Sequence, residues 1–132
     1  MTEAAGDDAS VRAWLRAWGG CVAAVDFERA RPLFDAAVTG FGTFAGAVVG
    51  LDRLEAEQWR QIWPTITGFA FDVDGAQVLV SGDRCQAVIA ASWTSARDDR
   101  ERPGRATVVL RRADATSPWL GVHTHFSLVP QP

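Results

Sequence analysis

Apolar residues near the start of the chain recur at intervals of three and four: Val11, Trp14, Leu15, Trp18, Val22 and Val25. This spacing predicts a one-faced amphipathic helix with Ser10 as its N-cap. Gly19 and Gly20 interrupt it at about 1 kcal/mol each relative to Ala, so close approach of another segment, or a bend, is expected there. Asp26 is placed to cap a second, short helix running to Phe34, with Phe27, Ala30 and Phe34 on one side and Pro32 distorting it. From Val38 to Gly50 the chain turns glycine-rich and extended, a short strand or bulge before a loop. Asp52 and Glu55 have capping-box spacing and open a third helix through Leu54, Trp59, Ile62 and Trp63, which must end at or before Pro64.

Beyond Pro64 the period drops to two. Phe69, Phe71 and Val73 alternate with small or polar residues, and Asp74 and Gly75 supply a turn. Further strands are expected at about residues 77–80, 84–94, 105–112 and 120–128. The charged stretch from Arg97 to Gly104 reads as a solvated hairpin loop. Three helices followed by an antiparallel meander is an α+β plan in which one face of a curved sheet wraps the helices.

Composition adds limits. With 132 residues, 48% of them hydrophobic, the chain is long enough for one core without disulfides or metals. Residues 1–9 are expected to be a flexible tail and residues 10–132 a single domain. A formal charge of −3 gives no footprint for nucleic acid or anionic membrane. All 13 basic residues are Arg, so Schiff-base chemistry and a phosphate-binding lysine are excluded, and the absence of Tyr removes phenolic acids and donors. No apolar run approaches the roughly 18 residues of a membrane span, and the acidic start is unlike a signal peptide. A cytoplasmic protein with two free thiols, Cys21 and Cys85, is the expectation, and no cofactor motif is evident.

The two histidines, His123 and His125, sit at i, i+2 on the last expected strand and share a face. Neither has a nearby third ligand, so no metal site is expected. Leu120, Val122, Thr124, Phe126 and Leu128 form the other, apolar face, which should cover the helices. His123, His125 and Ser127 therefore belong to the convex side.

Several short motifs, in order, carry a family resemblance: Phe41-Gly42-Thr43, Gly50-Leu51-Asp52, Gln58-Trp59, Ser81-Gly82-Asp83, Trp93 and His123-Thr124-His125-Phe126-Ser127. Together with the element plan they resemble the SnoaL-like group of the nuclear transport factor 2 superfamily, over most of the chain. The resemblance implies a cone: three N-terminal helices closing a strongly bent antiparallel sheet over an internal pocket, usually paired as a homodimer through the convex sheet. It does not settle function, because the scaffold serves ketosteroid isomerases, polyketide cyclases and non-catalytic kinase association domains alike. The isomerases pair a carboxylate with a Tyr, and this chain has no Tyr. Where their base follows the second helix it reads Ala36-Ala37-Val38-Thr39-Gly40-Phe41. The late strands, where the cyclases carry an acid, lack Asp and Glu from Thr107 to Leu110 and from Leu120 to Leu128.

By the same resemblance Trp93, Thr107 and Phe126 face the pocket, where the association domains carry arginines. An anion site has thus become an apolar one, expected to prefer a neutral ligand. Alternation adds Thr124, the helices contribute Trp18, Trp59 and Trp63, and Arg105 is a candidate single cation at the rim. The indoles could equally be core filler. Two functions remain open. One is binding of a small hydrophobic or aromatic molecule, with or without cofactor-free isomerase or cyclase chemistry. The other is a non-catalytic homodimeric domain acting through its convex sheet.

Overall fold

A computed structural model describes residues 3–42 and 46–130. Thr43 of the first motif and the first two residues of the expected tail lie outside the described residues. The first helix, α1 (Glu3–Ala24), is followed by α2 (Phe27–Ala30), which a 3-10 turn (Arg31–Leu33) links to strand β1 (Phe34–Phe41). After β2 (Ala47–Val49) comes the third helix, residues 51–65. It comprises an α segment, a π-helical bulge (Glu55–Trp59), a second α segment and a closing 3-10 turn. The rest is sheet: β3 (Thr67–Phe71), β4 (Gln77–Val80), β5 (Gln86–Arg97), β6 (Arg100–Glu101), β7 (Gly104–Arg111) and β8 (Leu120–Leu128). The expected α+β plan of three N-terminal helices on a curved sheet is the plan observed.

The main path through the sheet runs β2-β1-β8-β7-β5-β3, with β4 and β6 also paired to β5. All pairs are antiparallel except β1 with β8, which is parallel, a pairing that the expectation of a purely antiparallel sheet missed. The reason is topological: β1 precedes the third helix, and the chain returns to it only with its last strand. Strand β5, at 12 residues, spans the sheet and pairs with β3, β4, β6 and β7.

The expected tail is corrected by the structure. Helix α1 begins at Glu3, and Asp7, one turn before Val11 on the buried face, is only 4% exposed. Its carboxylate accepts hydrogen bonds from Arg84 Nε at 2.7 Å and from Arg112 Nη2 at 2.9 Å. Burial of a charge is tolerated here because it is paired twice. Ser10 is accordingly not an N-cap: it lies mid-helix, donates to the Asp7 carbonyl and accepts from Trp119 Nε1. The capping box at Asp52 and Glu55 is also absent. Gly50 is the N-cap, and both carboxylates instead bind the guanidinium of Arg31. Asp26, by contrast, caps α2 as expected through the Arg29 N–H.

Helix α1 runs unbroken through its two glycines. A side chain at Gly19 would press on the ring of Phe71, so here it is another element's close approach that uses the glycine. The core is continuous and strongly aromatic. Trp18 touches Trp14, Phe34, Phe71 and Phe126 with ring centroids 5.0–5.5 Å apart, and Trp59 stacks on Trp63 at 4.8 Å. Burying side chains of this size dominates the stability of so small a domain.

Candidate functional site

Between the third helix and the concave face of the sheet lies an open cavity of about 320 Å³. The helix supplies Gln58, Trp59, Ile62 and Trp63, and α1 supplies Trp18 and Val22. The sheet supplies Phe69, Trp93, Ser95 and Phe126. Five residues assigned to a pocket from sequence, Trp18, Trp59, Trp63, Trp93 and Phe126, thus converge on one space.

Strand alternation explains the sheet's contribution. Trp93 and Ser95 point inward from β5, and the Trp93 indole lies across the neighbouring strand at Gly104, its registered partner. A Cβ at Gly104 would clash with the indole ring, so glycine there is what gives Trp93 its place in the wall. On the opposite wall the Gln58 amide packs on the backbone of Gly42, leaving no room for a side chain.

Three of the expected site residues are placed elsewhere. Because Trp93 pairs with Gly104 and Ala91 with Ala106, the inward residues of β7 are the even-numbered ones. Thr107 and Arg105 therefore point to the convex face, beside their cross-strand partners His125 and Ser127. Arg105 Nε donates to Ser127 Oγ at 3.1 Å, and the four residues line a shallow depression with Ser92 and Gln77. Thr124 does face inward but is fully buried behind the cavity wall. A bulge in β8 opposite Val109 and Leu110 also brings Gly121 into the core against Phe34 and Trp14. The inward set therefore changes phase there, and Leu120 is paired with exposed Arg111.

The cations at the cavity are Arg97 and Arg102. The stretch read as a solvated hairpin loop is a hairpin, tighter than expected: Arg97 pairs with Arg100 around a two-residue turn, Asp98 and Asp99, both with positive φ. Alternation then continues inward through Trp93, Ser95 and Arg97. The Arg102 N–H donates to the Ser95 carbonyl at 2.7 Å, which puts Arg102 opposite Ser95 on the same face. Continuing the alternation of β5 past Thr94 would have found Ser95 and Arg97. Arg102 was hidden because the turn's position was not readable.

The polar groups of the walls are distinctive. Trp18 Nε1, Trp59 Nε1, Trp93 Nε1 and Gln58 Nε2 are buried donors without a partner among the described residues. Leaving such a group unpaired costs about 1–3 kcal/mol each. Glu57, the carboxylate lining the cavity, is exposed at its rim and bound to Arg53 at 2.6 Å. That contact holds its carboxyl below the usual range. Elsewhere, burial pushes the Cys21 thiol up. On the convex side His123 Nδ1 lies 2.8 Å from the Thr39 carbonyl, and Phe41 meets both imidazoles edge-on. Among the described residues no three His, Cys, Asp or Glu side chains are grouped to hold a metal ion.

The SnoaL-like domain model matches residues 11–132. The chain belongs to the SnoaL-like family. No curated protein matches it in sequence, but the fold is widely shared. A ketosteroid isomerase-like protein from Erwinia carotovora atroseptica is 18% identical over 93% of this chain and 96% of its own, with a TM-score of 0.73. An NTF2-like protein of unknown function from Pseudomonas putida is 23% identical over 100% and 91%, TM-score 0.78. An NTF2-like superfamily protein from Salmonella enterica is 16% identical over 97% and 94%, TM-score 0.79. At these identities the likeness is one of fold, and the chemistry of this SnoaL-like chain has to be read from its own side chains. No helix among the described residues is long and apolar enough to cross a membrane.

Proposed function

We propose that the protein binds a small, flat hydrophobic or aromatic molecule in the cavity between the third helix and the concave sheet. The observation that carries this reading is the lining itself: four indoles and two phenylalanine rings around about 320 Å³ of open space, with unpartnered donors in the walls. A cavity of that volume lies at the lower end of the range typical for small-molecule sites. Ring faces favour a planar ligand, and the enclosed, unpartnered N–H groups favour one with carbonyl-type acceptors where a shift of their side chains brings them to the cavity surface.

Any chemistry of the isomerase or cyclase kind would be cofactor-free and would depend on positioning and desolvation. The rim carboxylate Glu57 is a poor base because Arg53 stabilises its charged form. The unpaired cysteines Cys21 and Cys85 support a reducing, cytoplasmic setting. The test is quenching of Trp fluorescence on titration with flat hydrophobic compounds. Saturable quenching by the native protein, lost in Trp93→Ala and Phe126→Arg, is expected. No quenching, or equal quenching by both variants, makes the aromatic residues core filler.

A second reading concerns the convex face, where His123, His125 and Ser127 lie beside a Phe41 ring that is 39% exposed. These residues would form the contact of a homodimer. Light scattering that reports a monomer at micromolar concentration counts against it.

A further inference from the structure

The apolar cavity has a basic mouth. Arg102 is half-buried on the inward face of the β5–β6 hairpin, registered with Ser95, and among the described residues its guanidinium forms no ion pair or hydrogen bond. Most other arginines near helices or termini are committed: Arg12 to Asp8, Arg31 to Asp52 and Glu55, Arg53 to Glu57, Arg60 to Glu55, and Arg84 and Arg112 to Asp7. Arg97, two residues beyond Ser95 on the same face, stands beside it at the cavity. The acids of this hairpin do not face inward: Asp98 and Asp99 form the turn tip and Glu101 is exposed, and none of the three lines the cavity.

We infer that the ligand is a small aromatic or alicyclic acid, whose apolar body occupies the indole-lined cavity and whose anionic group meets Arg102, Arg97 and the Ser95 hydroxyl at the mouth. This rests on the cavity being a ligand site and names the ligand's class. The polar groups agree in sign: Trp18, Trp59 and Trp93 Nε1 and Gln58 Nε2 are donors enclosed within the walls, reached by a ligand only if those side chains shift, and the half-buried Arg102 guanidinium at the mouth is a donor as well. They match a molecule rich in acceptors and poor in donors. A guanidinium binds a carboxylate with two parallel hydrogen bonds, and apolar walls strengthen the attraction by lowering the local dielectric. Glu57, across the mouth, does not cancel the field, because Arg53 is bound to it. The neutral ligand expected from the loss of pocket arginines at Trp93, Thr107 and Phe126 is thereby replaced: cations are present at the mouth, supplied by a hairpin that the resemblance did not single out.

The test compares two probes of one shape, 2-naphthoate and 2-naphthalenemethanol, by isothermal titration calorimetry at pH 7.5, with thermal melts to show that each variant is folded. Naphthoate is expected to bind the native protein at least about tenfold more tightly than the alcohol, as a charge-assisted pair requires. Arg102→Gln should remove that preference by weakening the acid at least about tenfold more than the alcohol, and Arg97→Gln should reduce it in part. Equal binding of both probes, or an acid affinity indifferent to Arg102→Gln, overturns the anionic ligand while the cavity remains a binding site. Binding of neither probe overturns both.

Discussion

Five of the six tryptophans divide between the two ends of the core, and the division is chemical as well as spatial. Near the start of α1 the indole N–H groups are satisfied: Trp14 donates to the Leu33 carbonyl at 3.0 Å and Trp119 to Ser10 Oγ at 2.9 Å. Arg112 lies 3.8 Å from the ring centroid of Trp119 and is bound to buried Asp7. Near the third helix, Trp18, Trp59 and Trp93 keep their N–H groups buried and unpaired within the walls of an open cavity, with an uncommitted arginine at the entrance. Both ends combine buried aromatic rings with arginines. One end is closed and saturated, which is what holds a fold together; the other surrounds open space and keeps buried donors without partners, a cost that a fold does not need. Aromatic content alone does not distinguish the two ends, whereas the hydrogen bonding of their indoles does.

The largest effect should come from breaking the closed end. Arg112→Met removes a cation that is itself 8% exposed and leaves Asp7 with Arg84 as its remaining nearby guanidinium. Removing one member of a buried pair typically costs about 3 kcal/mol or more, so equilibrium urea unfolding should show a loss of that order. Probe affinity at the other end should stay within about twofold, since none of Asp7, Arg84, Arg112 and Trp119 lines the cavity. Acid gives a second reading of the same contact. Hydrogen bonds from Arg84 and Arg112 hold the Asp7 carboxyl well below the usual carboxylate range. Its contribution is therefore complete above the unfolded value near 4 and declines as pH falls toward the depressed folded value. The stability gap between native protein and Arg112→Met should be widest near neutrality and narrow below about pH 4. A gap independent of pH would mean that Arg112 acts through packing on Trp119 alone.

Much of this contrast was legible in the sequence, and its gaps have physical causes. Period-two and period-three-to-four patterns located the helices and strands because one face of each is buried. They also brought Trp18, Trp59, Trp63, Trp93 and Phe126 to a common side. The same alternation failed for Arg105 and Thr107, whose phase depends on the register of β7 against β5, and a one-residue difference exchanges the faces. It failed too for the start of α1, where a polar, acidic stretch looks solvated until partners from residues 84 and 112 are known. Gln58 stood within a quoted motif with no role assigned, since only the fold shows that its amide is buried against Gly42 without a partner for Nε2.

A substitution at the open end should be smaller in stability and larger in binding. Gly104→Ala places a methyl group where the Trp93 indole lies, and the ring has to swing toward the cavity. Overpacking of this kind costs about 1–3 kcal/mol. The accompanying expectation is at least about a tenfold loss of probe affinity, from lost cavity volume and a misplaced ring face. Denaturant unfolding and probe titration on one preparation give both numbers. Lost stability with unchanged affinity would detach Trp93 from the site and weaken the division between the two ends.

The smallest effect is expected at the hairpin that carries Arg97 and Arg102. Asp98 and Asp99 occupy its turn with φ of 52° and 60°, the conformation in which Asn-Gly or Asp-Gly is the favoured pair. An aspartate at the second position is tolerated but strained by up to about 1 kcal/mol. Asp99→Gly removes that strain and costs roughly half as much through the freer unfolded chain, leaving about 0.5 kcal/mol of net stabilisation. In a domain of this size that corresponds to a rise in Tm of about 2 °C. The side chain is exposed and does not line the cavity, so neutral-probe affinity should not change. Loss of one negative charge near the mouth should tighten 2-naphthoate slightly, by less than about twofold at 0.15 M salt, because the turn tip is solvated and screened. If the melting temperature instead falls, the Asp99 carboxylate holds the turn through contacts that outweigh its backbone cost, and the open end of the molecule is then better satisfied than its indoles and Arg102 indicate.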